Sequence, residues 1–302
     1  MSTIQNFDQL INSLHKRQIH KKVAVVCPHD PHTEYVITRS LREGIAEFLL
    51  FTTTEHLTYV ERIKMLFPEQ VEIRLATDGD DAARLGVTAV REGEAGVLMK
   101  GTLNTDNLLR AVLDKQHGLL PPGKTLSHLT VAQLPGYNKV LFFSDVAVIP
   151  RPTLEQYQAI LDYDLKICRH LGIEEPRVAL IHCTEKTNEK FPHTVSYAAL
   201  KQQAIEGRYG KTYIDGPMDV KTACDHHSAE VKGISSPVTG QADLLIFPNI
   251  EAGNTFYKTV SLFGQADMAG ILTGTLAPVV VSSRADSNES KYYSLILACI
   301  CE

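Results

Sequence analysis

The chain has 302 residues, of which 44% are apolar, and a formal net charge of -5 at pH 7. This length predicts two domains of ordinary size, each with a hydrophobic core. The acidic balance argues against a nucleic-acid-binding protein, which usually carries a basic face. It does not exclude a small anionic ligand, because a few local cations are enough to bind one phosphate.

The N-terminal 20 residues predict an amphipathic helix rather than a signal peptide, because they contain no continuous apolar stretch. No run of about 18 apolar residues predicts a membrane span. The six cysteines show no CxxC spacing, and several fall inside apolar runs. We therefore expect free, buried thiols in a cytoplasmic protein.

Short apolar runs alternate with longer amphipathic segments. The predicted strands are 23–27, 48–52, 71–76, 96–100, 140–145, 178–183, 244–248 and 279–283. The predicted helices after the N-terminal one are 55–67, 80–92, 105–115, 153–171, 194–206 and 220–231. Most of the apolar runs are nearly continuous, which is typical of parallel strands covered by helices on both faces. The alternation predicts an α/β fold with mainly parallel, doubly wound sheets.

A linker is predicted at HGLLPPGKT, residues 117–125, where two prolines and two glycines disfavour both helix and strand. The last predicted strand returns to the first domain if the second domain is inserted. We therefore predict a first α/β domain from residues 1–122 and 278–302, and a second α/β domain from residues 123–277.

Polar residues repeatedly follow the predicted strands, where open parallel sheets bind their ligands. The sequence contains no P-loop, no GxGxxG after the first strand and no GxSxG elbow. Hydrogen-bond donors that suit a phosphate are nevertheless present at two strand ends: Lys100, Thr102, Asn104, Thr105, Ser282, Ser283 and Arg284. Helices that begin near Thr105 and Ser287 would add N-terminal amides to such a site.

Simpler interpretations of these residues stay open. Thr105 is equally suited to capping a helix, and Arg284 to pairing with Asp286 alone. The triplet Asp225-His226-His227 lies in a helical pattern, where adjacent histidines point to different faces. We interpret the triplet as a solvated helix surface and predict no metal site.

Four stretches resemble the phosphate acetyltransferase/phosphate butyryltransferase family. They are KGTLNTDNLLRAVL, LSHLTVAQLPGYNKVLFFSDVAVIPRPTLEQ, IDGPMDVKTACDHHSAEVKGISSPVTGQADLLIFPNIEAGNTFYK and PVVVSSRADSNESK. They follow the family's order and cover about two thirds of the chain. The form SRADS is more similar to the butyryltransferase branch, because the acetyltransferase branch usually has SRG at this position.

The resemblance implies a reversible reaction in which acyl-CoA and inorganic phosphate give an acyl phosphate and CoA. It further implies two α/β domains with the active site in the cleft between them, and a homo-oligomer, a dimer or larger. Coenzyme A is then a substrate, and neither a metal nor a tightly bound cofactor is needed. No nucleic-acid or membrane partner is expected.

The family's serine–arginine pair corresponds to Ser283 and Arg284, and Asp286 completes the predicted catalytic set. The acetyltransferase branch has a proposed acidic base where this chain has Ser290. The general base therefore stays open between Asp286, Asp145 and Glu251. The residues predicted to bind phosphate or CoA are Lys100, Thr102, Asn104, Thr105, Ser127, Asp145, Glu251, Asn254, Lys258 and Ser287.

Three other functions remain possible at this stage. An acetyl-specific enzyme of the same family differs only in acyl chain length, which pocket volume determines. An oxidoreductase similar to isopropylmalate dehydrogenase shares the two-domain α/β outline, but the sequence shows neither a nicotinamide site nor a metal-binding aspartate cluster. A non-catalytic ligand-binding domain could also have this fold, because a fold alone never proves activity.

Overall fold

The computed structural model describes residues 3–282 and 286–301. They form two compact units, the first from residues 8–124 and 269–301 and the second from residues 3–7 and 125–268. The domain boundaries predicted from the sequence lie at 122/123 and 277/278. The division of the chain into two domains at these positions stays a prediction.

Strands and helices alternate along both units. The strands are β1 (Lys21–Val26), β2 (Ala46–Thr53), β3 (Val71–Ala76), β4 (Val97–Lys100), β5 (Ser127–Gln133), β6 (Leu141–Ser144), β7 (Arg177–Ile181), β8 (Tyr213–Met218), β9 (Leu244–Ile246), β10 (Asp267–Thr273) and β11 (Val279–Val280). The helices are α1 (Phe7–Lys16), α2 (Pro31–Arg42), α3 (Leu57–Leu66), α4 (Gly79–Arg91), α5 (Thr105–Val112), α6 (Leu154–His170), α7 (Pro192–Ile205), α8 (Val220–Cys224), α9 (His226–Val231), α10 (Ile250–Leu262) and α11 (Asn288–Cys301). The predicted α/β class is confirmed.

In the first unit the strand order is β3-β2-β1-β4-β11-β10. All neighbours in this order pair in parallel except β10 and β11, which are antiparallel. In the second unit the order is β5-β6-β9-β7-β8, and only β5 and β6 pair in antiparallel fashion. The prediction of mainly parallel sheets is therefore confirmed.

The central strands of the first unit are buried, as their continuous apolar sequences predict. Val23–Val26 of β1 and Val97–Met99 of β4 are fully inaccessible to solvent. Because β3, β2, β1, β4 and β11 run in the same direction, the residues that follow them meet at one edge of the sheet. This edge brings the polar loops of the first unit together.

Several elements differ from the sequence-based prediction. Strands β5, β8 and β10 were not predicted, because polar residues, glycine or proline interrupt their apolar pattern. The predicted helix 220–231 is two helices, since Asp225 is extended and caps α9 through the backbone N–H of Ser228. Helix α2 was not predicted either; it begins at Pro31, a position where the missing N–H of proline costs nothing.

None of the six cysteines, all of which lie within the described residues, forms a disulfide, and Cys183 is exposed, contrary to the expectation of buried thiols. The other five are buried or partly buried. Within residues 3–282 and 286–301, no helix combines the length and the apolar composition needed to cross a membrane.

Candidate functional site

The carboxyl edge of the first unit contains two neighbouring cavities. The larger, of about 730 Å³, lies at the ends of β1, β2, β3 and β4. Its lining includes Cys27, His29, His56, Asp78, Thr102 and Leu103. The smaller, of about 360 Å³, is lined in part by Asp30, His32, Thr33, Lys100, Ser282 and Lys291. Thr102 contributes to both cavities.

Lys100 ends β4 and is only 5% exposed. Its Nζ donates to the carbonyl oxygens of Gly101 at 3.1 Å and Leu103 at 3.0 Å, so the chain's own loop holds the ammonium group. Gly101 lies so close to the loop after β1 that a Cβ there would stand 2.1 Å from the carbonyl oxygen of Cys27. Only glycine allows this close approach.

Thr102 joins the loops that follow β4 and β1. Its hydroxyl donates to the Cys27 carbonyl oxygen at 3.1 Å, and the same oxygen lies 2.7 Å from Nε2 of His29, within hydrogen-bond distance. Nδ1 of His29 is buried and has no hydrogen-bond partner among the described residues.

The surroundings keep His29 and Cys27 uncharged. Burial lowers the pKa of His29, and the adjacent His56, stacked on it with a ring-centroid distance of 3.7 Å, lowers it further. Burial, followed by the negative charge of Asp78, raises the pKa of Cys27 to about 11. Cys27 is therefore a thiol at neutral pH, a poor nucleophile.

Asp30 is committed to capping α2. One carboxyl oxygen accepts from the backbone N–H groups of His32 at 3.1 Å and Thr33 at 3.0 Å, and the other accepts from the Thr33 hydroxyl at 2.6 Å. Nδ1 of His32 lies 2.6 Å from Oδ1 of Asn288, the first residue of α11. The beginnings of α2 and α11 thus meet at the smaller cavity.

Ser287 caps α11, since its hydroxyl accepts from the backbone N–H of Ser290 at 3.1 Å. Glu289 is engaged elsewhere, accepting from the Tyr35 hydroxyl and from Nη1 of Arg39, both at 2.6 Å. Lys291 is 6% exposed and lines the smaller cavity. Sequence reasoning missed Lys291; the available signal was a single charge in the otherwise uncharged stretch KYYSLILACI.

Asn104, in an extended conformation, is the cap residue of α5, and Thr105 is the helix's first residue. The suggestion that Thr105 itself caps the helix was therefore wrong. Both side chains are exposed. Their predicted contact with a phosphate or CoA stays a prediction.

In the second unit, Asp145 follows β6 and is 2% exposed. One carboxyl oxygen accepts from the Ser127 hydroxyl at 2.8 Å and the His128 backbone N–H at 3.0 Å. The other accepts from the backbone N–H groups of Ala147 and Val148, both at 2.8 Å. Four donors satisfy this carboxylate within the protein.

The start of α10 packs against the loop 145–148. A Cβ at Gly253 would lie 2.2 Å from the carbonyl oxygen of Asp145, and Nδ2 of Asn254 donates to the carbonyl of Val146 at 2.9 Å. Glu251 and Lys258 lie exposed on the same helix. The structure therefore brings Ser127, Asp145 and Asn254 together as a packed unit.

Two of the predicted catalytic residues, Ser283 and Arg284, lie outside the described residues. Asp286 is partly buried just before α11. Across residues 3–282 and 286–301, no three or more His, Cys, Asp or Glu side chains are grouped to hold a metal ion. Asp225, His226 and His227 are exposed, as interpreted from the sequence.

The sequence matches one protein family over nearly its whole length. Residues 12–299 match the family described as "Phosphate acetyl/butaryl transferase". A phosphate acetyltransferase of Thermotoga maritima is 36% identical over 93% of this chain and 95% of its own. A phosphate butyryltransferase of Clostridium acetobutylicum is 34% identical over 98% of each chain.

Solved structures with similar folds include a branched-chain phosphotransacylase from Enterococcus faecalis V583, with a TM-score of 0.81 and 29% identity. The similarity covers 93% of this chain and 98% of that one. A 4-hydroxythreonine-4-phosphate dehydrogenase from Klebsiella pneumoniae has a TM-score of 0.54 and 14% identity over 93% of this chain and 100% of its own. At that identity the likeness shows the fold alone, so the oxidoreductase alternative has no support.

Proposed function

Because this chain belongs to the phosphate acetyl/butyryl transferase family and is a phosphate acyltransferase, we propose that it transfers a butyryl or similar short acyl group reversibly between CoA and inorganic phosphate. A phosphate oxygen attacks the thioester carbonyl carbon. The carbon–sulfur bond then breaks, and the thiolate leaves and takes up a proton. The products are an acyl phosphate and free CoA.

The observation that carries this proposal is the pair of lysines at the smaller cavity. Lys100 and Lys291 are both more than nine-tenths buried there, beside hydroxyl groups and the starts of two helices. Buried cations of this kind suit a doubly charged phosphoryl group, and helix N-termini favour anions. Ser282, which directly precedes the serine–arginine pair predicted to bind the same group, lines this cavity.

We assign the predicted roles as follows. Arg284 binds phosphate oxygens with its guanidinium fork, and Ser283 donates to the phosphate or the sulfur. Asp286 orients Arg284 or acts as the general base. Of the other two base candidates, Asp145 already has four internal donors, so its acceptor capacity is used by the fold.

Direct transfer without an acyl-enzyme is favoured by the state of the cysteine at this edge. Cys27 lines the larger cavity, but its pKa of about 11 leaves almost no thiolate at neutral pH. This supports our proposal that the acyl group passes from sulfur to phosphate within one complex of enzyme, acyl-CoA and phosphate. The larger cavity offers room for part of the CoA molecule.

The acetyl-specific alternative is supported by the Thermotoga maritima relative, which is named an acetyltransferase at 36% identity. One methylene in an apolar pocket is worth roughly 1–3 kcal/mol, so several chain lengths are expected to react at different rates. A cytoplasmic location and a homo-oligomer, a dimer or larger, remain predictions from the sequence.

The test is release of free CoA thiol from acetyl-, propionyl-, butyryl- and isobutyryl-CoA, with and without inorganic phosphate. We expect phosphate-dependent release with the highest kcat/KM for a four-carbon acyl group. A maximum at acetyl-CoA would favour the alternative. Thiol release that does not depend on phosphate, or no release from any of the four, would contradict the proposal.

A further inference from the structure

Among the described residues, the side chain of Lys291 has no partner that explains its burial. It is 6% exposed, and it forms no hydrogen bond or ion pair with any described residue through its Nζ. A lysine that is mostly buried and has no counter-charge among the described residues loses part of its hydration without compensation. The cavity that Lys291 lines is therefore expected to supply an anion.

Two carboxylates near Lys291, Glu289 and Asp30, are engaged by other groups. Glu289 is held by Arg39 and Tyr35, and Asp30 is used by three donors at the start of α2. Lys100, the second buried cation at the cavity, donates to the carbonyl oxygens of Gly101 and Leu103. The described lining thus contains two lysines against one carboxylate that is already hydrogen-bonded.

Two helices add to the positive potential at this point. The α2 helix has 12 residues and the α11 helix has 14, and both begin at the cavity. Partial positive charge at a helix N-terminus favours an anion by about 0.3–1 kcal/mol in exposed positions, and by more where water is excluded. His32 from α2 and Lys291 from the first turns of α11 line the same space.

We propose that Lys291 is a substrate-binding residue that contacts a phosphoryl group in the smaller cavity, together with Lys100. This inference rests on the proposed function and extends it to a residue outside the serine–arginine pair. The phosphoryl group is either the reacting phosphate or a phosphate of CoA, and both have the same chemistry: tetrahedral, strongly anionic and rich in acceptors. Lysine suits it as a compact charge with three donors.

The test uses Lys291→Met, which keeps the length of the side chain and removes the charge. Kinetics of the full-length protein would compare KM for inorganic phosphate and KM for the acyl-CoA. We expect about a tenfold to hundredfold increase in one of the two KM values, as for the loss of one charge-assisted hydrogen bond. An increase for phosphate identifies the reacting group, and an increase for acyl-CoA identifies a phosphate of CoA.

Two variants separate a binding role from a structural one. Lys291→Arg keeps the charge and is expected to restore most of the affinity. Lys115→Met makes the same chemical change at an exposed lysine of the first unit and is expected to change neither KM. Equal KM values in Lys291→Met and the wild type would overturn the proposal, and so would an Arg variant as defective as the Met variant.

A binding measurement keeps this inference separate from the proposed function. Titration calorimetry with inorganic phosphate and with CoA requires no turnover. If the wild type releases no CoA, the proposed function fails, yet weaker anion binding by Lys291→Met than by Lys115→Met still supports the role of Lys291. If the wild type is active and both variants bind both anions equally well, the role of Lys291 is wrong.

Discussion

The loop 145–148 of the second unit and the Lys100–Lys291 cavity of the first both place buried charges beyond parallel strands. Asp145 is 2% exposed, and Lys100 and Lys291 are 5% and 6% exposed. Asp145 has four donors from its own chain, whereas the Nζ of Lys291 forms no such bond within the described residues. A charge that the fold already satisfies supports structure, and one that is left unsatisfied at the wall of a cavity indicates a ligand.

The largest effect is expected from Asp145→Ala, because it removes the acceptors of four donors at once. Each buried donor left unsatisfied costs about 1–3 kcal/mol. We expect the free energy of unfolding to fall by about 3–5 kcal/mol, with kcat per folded molecule little changed. Denaturant unfolding and active-site-normalised kinetics would measure the two quantities separately.

Asp145→Asn serves as the companion variant, since it retains one acceptor oxygen and should lose less stability. If instead both variants unfold like the wild type and lose several orders of magnitude in kcat, Asp145 is the general base. The loop 145–148 would then be part of the catalytic site, and its interpretation as a purely structural element, unlike the lysine cavity, would be wrong.

Arg284→Gln tests a residue that is predicted to bind the ligand rather than to stabilise the fold. We expect kcat/KM to fall by on the order of 10²-fold or more, or about 2.7 kcal/mol, as for the loss of a group that stabilises the developing oxyanion or the phosphate. Steady-state CoA release would measure it, with Arg42→Gln, an exposed arginine on α2, as the control. Near-normal turnover would remove Arg284 from the mechanism.

Gly253→Ala examines the packing of α10 on the loop 145–148. The added Cβ would stand 2.2 Å from the carbonyl oxygen of Asp145, so either the helix or the loop must shift. We expect a loss of about 2 kcal/mol in the free energy of unfolding, within the usual range for overpacking. Gly136→Ala is a matched control in the same unit, because nothing lies within 4 Å of its added Cβ. Equal stability of the two variants would show that this contact is not tight.

The sequence predicts the fold where side-chain hydrophobicity alone decides it. Strands such as β1 and β4 are continuous apolar runs, and all eight predicted runs contain a strand. Strand β5, SHLTVAQ, was missed because its serine and its threonine are residues typical of a surface. Ser127 and Thr130 are fully buried, and the Ser127 hydroxyl is satisfied by Asp145. Such long-range partners cannot be seen in a sequence pattern.

The candidate site shows the same limit. The rule that polar residues follow parallel strands located both Lys100 and Asp145, but it could not tell a satisfied carboxylate from a cation that faces a cavity. Lys291 was missed because it belongs to a buried helix, and only the contact between the starts of α2 and α11 brings it to the strand edge. Whether a buried charge has hydrogen-bond partners within the protein depends on its three-dimensional neighbours, which a sequence pattern does not show.

Asp164 is a buried acidic residue, opposite in charge to Lys291. Its substitution is expected to have the smallest effect of the changes considered. It is fully buried in α6, and neither carboxyl oxygen forms a hydrogen bond of good geometry with a described residue. Burial raises its pKa well above the usual value; the Ser144 hydroxyl lowers the pKa, and the negative charge of Asp145 raises it further. Asp164 lines none of the cavities described above, so here burial without a well-aligned partner reflects a cost of the fold rather than a ligand.

The pH dependence of Asp164→Asn follows from the sign of that shift. A carboxyl whose pKa is raised on folding contributes its stability below the unfolded-state pKa of about 4, and this contribution is lost as the pH rises through the folded-state pKa. Asparagine stays neutral at every pH. The free energy of unfolding of the variant should therefore increase relative to that of the wild type as the pH increases, by about 1 kcal/mol at pH 7. Urea unfolding at pH 5 and pH 8 would measure the difference, with Asp162→Asn, exposed on the same helix, as the control. An equal or falling gain at the higher pH would show that Asp164 finds a partner when charged, and it would then join Asp145 among the satisfied carboxylates.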